Sequence, residues 1–477
     1  MQAGLHVGAG SDAEHRSDKR ASQIARRIEA DIIRRGWPIG QSLGSEQALQ
    51  QRYRVSRSVL REAVRLVEHH QVARMRRGPN GGLLVCEPDA APATHAIIIY
   101  LEYLGTTIGD LLDARLLLEP LAASLAAEQI DEAGIDRLRA VLRAEEPRDE
   151  FHAALAEQSK NPVLQLFIDI LMRLTVRYAV GSRLDSARDA LEAIDRRHQE
   201  HADIVAAVTA GDSARAKTLS EHHAQSVTAW LQDHQPSGRA RNRRGLDREA
   251  PGGKLAEVLA TAIRDDIVTS GRQIGEVFGT EVALLERYRV SRSVLREAVR
   301  LLEYHAVAKM RRGPGGGLVV AEPQAQASID TIALYLQYRK PGGEDLRLVR
   351  DAIEIDNVAK VVKRRDAPEV RAFLDTHRLT TEEAGNDLRK AGMEEFLFHT
   401  GLAQLAGNAV LDLFLRILVE VFRRHWSTTK KPSPSRSDLD DVQRAHLRII
   451  EAIADGDDSL ARYRMRRHLD ATASWWL

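Results

Sequence analysis

The chain has 477 residues, of which 43% are hydrophobic and 29% charged, and its formal net charge is +1. That length exceeds what one hydrophobic core fills, so two to four domains are expected, and the overall charge names no polyanionic partner. A single cysteine, Cys86, excludes an intrachain disulfide and points to a reducing cytoplasm, while the abundance of Ala, Leu and Arg beside only 5% aromatics favours helices.

Residues 1–20 mix Gly, Asp, His and Arg without an apolar core, which reads as a disordered tail and not as a signal peptide. Ile24, Ile28 and Ile32 then recur at a spacing of four and predict an amphipathic helix. Gly44-Ser45 opens a short second helix through Leu49, with Ser45 as a polar cap. Arg54-Val55-Ser56 makes a tight turn, and Ser56 caps a third helix. There Leu60, Ala63, Val64 and Val67 face inward and leave Arg57, Ser58, Arg61 and Arg65 outside. A strand carrying Arg74, Arg76 and Arg77, a Pro-Asn-Gly-Gly turn and a second strand from Leu83 to Val85 form a basic hairpin. Together these elements make a winged helix-turn-helix over residues 21–88.

Residues 95–233 have helical periodicity and few strand signals, so they read as an all-helical domain. Its most apolar short run, 95–104, is too brief to cross a bilayer. Arg115 and Glu119 share one helix face, either as a salt bridge or with the arginine aimed at an anionic ligand. Residues 234–253, rich in Gly, Pro and Arg, read as a linker. The pattern then repeats. Residues 52–66 and 287–301 are the same fifteen amino acids, and the offset of 235 also carries Arg115 and Glu119 onto Arg350 and Glu354. A second small module is expected over 254–323, opened by Gly279-Thr280, and a second helical domain over 328–477.

Local charge identifies a partner class. Residues 52–78 hold eight arginines against Glu62 and Glu68, and residues 287–313 hold seven arginines and Lys309 against Glu297 and Glu303. Phosphate is the natural counter-charge for such islands, and arginines at the start of a groove-fitting helix can pair with guanine. Double-stranded DNA is therefore the expected partner. A non-specific architectural DNA binder and a metal-dependent hydrolase are the competing classes. The second has no Gly-rich loop, nucleophile motif or acid–base pair beside its histidines, so no enzyme is expected.

Those histidines form the other pattern. Glu395 and His399 lie at i, i+4, while His446 and His468 stand ten residues before and twelve after Gly456, where an antiparallel helix pair brings them level. Three imidazoles and a carboxylate suit zinc or another divalent transition metal. His152, His201 and His223 repeat the geometry around Gly211 more weakly, because Arg148 stands where the carboxylate is expected and Asp149 is one residue off register.

The stretch from Leu43 to Val85 resembles the DNA-binding module of the GntR family, with Ser45-Glu46, Val55-Ser56-Arg57 and Arg61-Glu62-Ala63 in the motif positions, and residues 278–320 match as well. Gly44 and Gly279 stand where that family has proline, and Gln47 and Val282 where it has arginine. The resemblance implies DNA contacts from Ser45, Arg57, Ser58, Arg61, Arg76, Arg77 and Gly81, and from Thr280, Arg292, Ser293, Arg296, Arg311, Arg312 and Gly316. The helical domains resemble the FCD effector domain of the FadR subfamily, through Glu395–His399, Gly407-Asn408, His446, Gly456-Asp457 and His468-Leu469, and through His152, Asn161-Pro162, Glu200-His201, Gly211-Asp212 and His223. It implies a small organic-acid effector near Arg115, Arg350, Asn161 and Asn408, held in part through a metal. The expectation is a mainly α, cytoplasmic, nucleoid-associated regulator, a repressor by the commoner mode of the family it resembles, acting without a membrane as a single-chain pseudo-dimer or a homodimer.

Overall fold

A computed structural model describes residues 10–476, apart from 77, 79–80, 91–92, 95–96, 99, 102–103, 144–149, 180–186, 234–254, 305–306, 312, 314, 323–324, 384–387 and 429–434. The expected linker, Arg77, Arg312, Arg148 and Asp149 fall outside the described residues. The chain forms two compact units. One gathers Met1–Ile97, Ala250–Lys340 and Ser427–Thr429, and the other holds Ile98–Glu249, Pro341–Trp426 and Lys430–Leu477. The small modules thus share one unit and the helical domains share the other.

In the first unit the chain begins with α1 (Gly10–Arg34), α2 (Glu46–Tyr53), α3 (Arg57–His69), β1 (Ala73–Arg76) and β2 (Gly82–Val85). Helix α1 starts inside the segment expected to be a tail, because no glycine or proline interrupts the sequence between Gly10 and Gly36. Ile28, Ile32, Leu49, Leu60, Ala63 and Val67 are fully buried in one core with Leu83. Burying each large aliphatic side chain contributes roughly 2 kcal/mol, which is what holds three short helices on a two-stranded hairpin. That hairpin pairs Ala73 with Val85 through Arg76 with Gly82.

The second copy supplies α10 (Leu255–Ser270), β3 (Val277–Gly279), α11 (Glu281–Tyr288), α12 (Arg292–Tyr304), β4 (Ala308–Arg311) and β5 (Gly317–Val320). Its sheet has the order β3-β5-β4. In the first copy the third strand shrinks to one bridge, Ser42 to Leu84. Gly82 and Gly317 sit at φ +136° and +153°, and an added Cβ would come within 2.6 Å of the Gly44 carbonyl and 2.5 Å of the Gly279 carbonyl. Close backbone approach inside the module accounts for these two glycines.

Helix α13 (Ala325–Arg339) was expected mostly within the second helical domain, yet it belongs to the unit of the small modules. Its Leu334 joins the core of the first module. Tyr338 meets Trp37 edge-on, with ring centroids 5.4 Å apart, and donates from its hydroxyl to Glu87 at 3.0 Å. The connector of one copy is therefore packed on the small module of the other.

The second unit holds two matched sets of six helices among the described residues. The first set is α4 (Ile108–Gln129), α5 (Glu132–Arg143), α6 (Glu150–Gln158), α7 (Pro162–Ala179), α8 (Ala187–Thr209) and α9 (Ser213–Asp233). The second is α14 (Gly343–Lys363), α15 (Pro368–Glu383), α16 (Leu388–Ala406), α17 (Ala409–Thr428), α18 (Arg436–Asp455) and α19 (Asp458–Trp476). Helices α4 and α14 bury residues on several sides, as central helices must. The two sets meet reciprocally. Phe167 stacks on Phe414 with centroids 4.0 Å apart, the Asn161 side-chain amide donates to the Asp345 carbonyl at 3.0 Å, and that of Asn408 donates to the Asp110 carbonyl at 2.9 Å. A surface that meets its own duplicate in this way is an isologous interface closed within one chain. Among the described residues, no helix is long and apolar enough to cross a membrane.

Candidate nucleic-acid interface and metal centre

The reading surface is built from capped helix starts. Ser45 accepts from the Ala48 amide at 3.2 Å and Ser56 from the Val59 amide at 3.4 Å, while Thr280 and Ser291 do the same for Ala283 and Val294. Arg54 and Arg289, at φ +53° and +51°, make the left-handed turn that swings α3 and α12 away from the helices before them. Ser45 and Thr280, implied as DNA contacts, are thus engaged as caps, each a contribution of about 1 kcal/mol. Ser58 and Ser293 face the capping hydroxyls of Ser56 and Ser291 at 3.0 and 2.9 Å.

The arginines stay in solvent. Side chains of Arg57, Arg61, Arg292 and Arg296 are 65%, 57%, 64% and 68% exposed. A residue that the sequence reading passed over organises them. Glu46 Oε1 accepts from Arg57 Nε at 3.0 Å and from Arg61 Nε at 2.8 Å, and these two hydrogen bonds hold its carboxyl below the ordinary carboxylate range. Glu281 stands 3.2 Å from Arg292 and 3.8 Å from Arg296. In Arg57 and Arg61, engaging Nε leaves the terminal nitrogens outside that contact, the fork that can pair with a phosphate or a guanine edge. The signal for this was present in the sequence as one acidic residue at the start of a helix otherwise flanked by arginines. Arg76 and Arg311 lie on the hairpin strands, and Gly81 and Gly316 close the turns by donating to the carbonyls of Gly78 and Gly313 at 2.9 Å.

In the second unit Glu395, His399, His446 and His468 come together, all buried, with one ligand atom each inside a 4.8 Å cluster. Helix α16 carries the first two one turn apart. Gly456, at φ +75°, caps α18 and reverses the chain so that His446 and His468 face each other, centroids 4.7 Å apart. The Nε2 atoms of His399 and His468 are 3.1 Å apart, and His446 Nε2 is 3.1 Å from Glu395 Oε2. Behind them Glu354 holds His399 Nδ1, which turns Nε2 inward. The sequence reading had assigned Glu354 only a salt bridge.

This cluster passes a chemical test for a cation. Glu395 Oε1 and Oε2 and His446 Nε2 are buried and lie 3.1–3.5 Å from neighbouring ring nitrogens or carboxylate oxygens, yet they form no well-aligned hydrogen bond among the described residues. Acceptors so arranged face one another and call for a shared positive charge. Burial pushes the His446 imidazole down to about 4, so it is neutral and ready to ligate near pH 7. Burial also works against charge on His399, but the Glu354 carboxylate outweighs it and lifts the ring to about 10. Burial alone would raise Glu395; the surrounding histidines, His468 first, hold it well below the carboxylate range.

The first copy gathers His152, His201 and His223 with no carboxylate ligand among the described residues. Glu119 lies 3.2 Å from His152 Nδ1, and Glu200 holds His223 Nδ1 at 2.8 Å, leaving His201 and His223 Nε2 atoms 3.2 Å apart. Glu200 has no counterpart in the second copy, where Ala445 precedes His446. Arg115 and Arg350, implied as effector contacts, are buried and salt-bridged: Arg115 Nε to Glu119 at 2.5 Å, and Arg350 to Asp351 at 3.0 Å. Asn161 and Asn408 do not reach either histidine cluster through any hydrogen bond. Their side-chain oxygens cap α7 and α17 at Val163, Leu164, Val410 and Leu411, and their amides serve the opposite copy.

Comparison with known proteins places these features. The model described as "FCD domain" matches residues 110–226 and 345–471, together just over half of the chain. The model described as "Bacterial regulatory proteins, gntR family" matches residues 20–80. The HTH-type transcriptional regulator LutR of Bacillus subtilis is 29% identical over 201 residues, covering 39% of this chain and 90% of that protein. The Uxu operon regulator of Haemophilus influenzae is 25% identical over 226 residues, covering 44% and 81%. The HTH-type transcriptional repressor NanR of an Enterobacter species is 24% identical over 249 residues, covering 50% and 90%. Each of these relatives, along most of its own length, matches about half of this one.

Proposed function

The chain belongs to the GntR family of bacterial regulatory proteins and carries the FCD domain twice, and from that premise we propose that it is a repressor reading a two-part operator with both small modules of one polypeptide. The observation that carries this reading is the reader itself. Fifteen residues are identical in α3 and α12 with their approaches, and each copy presents exposed arginines from a capped helix start. The gntR-family match covers the first module. For the second, support comes from the same order of helices and from the matching hairpin register, Ala73 with Val85 and Ala308 with Val320. One chain then presents two readers, which two chains are needed to present in a relative of half the length. Repression is favoured by the likeness to NanR, a transcriptional repressor.

The effector we propose is a small carboxylate in the helical domain, with Arg350 as the cationic group nearest in sequence to the Glu354 support of the cluster. A divalent transition metal fits Glu395, His399, His446 and His468, and when bound it would supply a Lewis-acidic centre with positions open to a carboxylate oxygen. Glu354 fixes the His399 ring so that Nε2 faces inward, and the buried surroundings keep water from competing. Ligand binding that favours one reader spacing by about 1–3 kcal/mol would shift operator affinity by the factor usual for such coupling.

Selection of duplexes from a random pool by the whole chain, with and without a chelator, tests the reading. The expected result is a duplex with two related half-sites and a binding response that depends on the metal. His446→Ala should keep DNA binding and lose the response. No preference for any duplex over competitor at moderate ionic strength would overturn the proposal.

A further inference from the structure

The two modules share a reading helix but differ in the helix before it. Helix α2 reads EQALQQRY and α11 reads EVALLERY, so Gln47 in one copy stands where Val282 stands in the other. Both follow directly on the glutamate that grips the reading arginines: Glu46 on Arg57 and Arg61, Glu281 on Arg292 and Arg296. These contacts hold the first turn of α2 and α11 beside the first two turns of the reader, and the next residue of that turn is open to solvent. Gln47 is exposed, and Val282 is 59% exposed, a branched apolar side chain on a face otherwise furnished with arginines.

We propose that Gln47 and Val282 make the two half-sites unequal and so fix the direction in which the chain lies on its operator. A glutamine amide donates to and accepts from the adenine edge in the major groove, whereas a valine can only pack on an apolar group, and the thymine methyl is the one that edge offers. The operator then has two halves with a common core, set by the identical readers, and unequal flanks, one carrying adenine and the other thymine at the position facing this helix. Two identical chains related by a two-fold axis cannot distinguish left from right on DNA. Two readers in one chain can, once a single side chain differs. The inference rests on the proposed role of both modules as readers.

The single cysteine provides the test. Cys86 follows β2 in the first module and is half-buried, and Ala321 takes its place in the second. An iron chelate tethered to Cys86 of the whole chain, bound to a duplex selected from a random pool, should cut one half-site about tenfold more than the other, the discrimination of one mismatched contact. The Cys86→Ala, Ala321→Cys chain should cut the opposite half with the same preference. Val282→Gln should reduce the preference to within about twofold while specific binding persists, and should select equal flanks. Equal cutting of both halves by the unsubstituted chain, or an undiminished preference in Val282→Gln, would overturn the inference and leave the repressor reading standing. Failure to select any duplex would sink both.

Discussion

The two units of this chain have treated duplication differently. In the small modules residues 52–66 and 287–301 are the same, serine caps included, and each helix start keeps a glutamate beside its arginines. In the helical domains the fold and the reciprocal interface are kept, but the polar centre is not: Glu395 joins three histidines in the second copy, while the first has three histidines backed by Glu119 and Glu200. If both modules read DNA as proposed, both must fit the same groove, so both are bound by its shape. Two sensors inside one chain need not both hold a ligand, because the reciprocal contacts tie them into one body either way.

Breaking the readers should give the largest effect. Arg57→Ala with Arg292→Ala should lower specific operator affinity by about a hundredfold or more, measured by anisotropy at fixed salt, since each lost guanidinium removes roughly 1–3 kcal/mol of discrimination. Each single substitution should cost about the square root of that factor; a strongly unequal pair would show that the modules are not equivalent readers. The helical domains should behave in the opposite way. Glu354→Gln should weaken metal binding by the 10–100-fold typical of a lost supporting carboxylate, whereas Glu119→Gln should change the metal content of the chain far less. Equal losses by calorimetry would mean that both clusters ligate alike.

A smaller asymmetry is tied to pH. Burial pushes the Asp412 carboxyl up from 3.8 to about 6, against the pull of Arg416, and Gln165 occupies the matching place after Asn161. A raised carboxyl leaves stability intact below about pH 4 and removes it as pH climbs through about 6, on the order of 3 kcal/mol. Asp412→Asn should abolish that slope in thermal unfolding between pH 4 and 7, and Gln165→Asn should leave it unchanged. The smallest effect sharpens the symmetry instead. Asn161→Ala and Asn408→Ala should each cost about 1 kcal/mol or slightly more, by loss of a cap and of one bond to the opposite copy, and the two values should agree.

Much of this was legible in the chain. Ile28, Ile32, Leu60, Ala63 and Val67 announced their buried faces by spacing, and the histidines on either side of Gly456 announced their convergence. What was not legible has a common cause. A motif names Asn161 and Asn408 without saying where their side chains point, and the caps and bonds to the opposite copy that they form are visible only in the fold. Glu119 and Glu354 looked like partners of an arginine four residues away, and a second partner 33 or 45 residues distant has no local signature.

The sequence alone determined the duplicated plan, the periodic cores, the arginine-bearing helix starts and the set of metal-capable side chains, because each depends on spacing along one element. Tertiary structure decided which unit α13 joins, which carboxylates stand behind the histidines, and how the two helical domains clasp each other. Those outcomes depend on contacts between residues far apart in the chain, whose energies exist only once the surfaces have met.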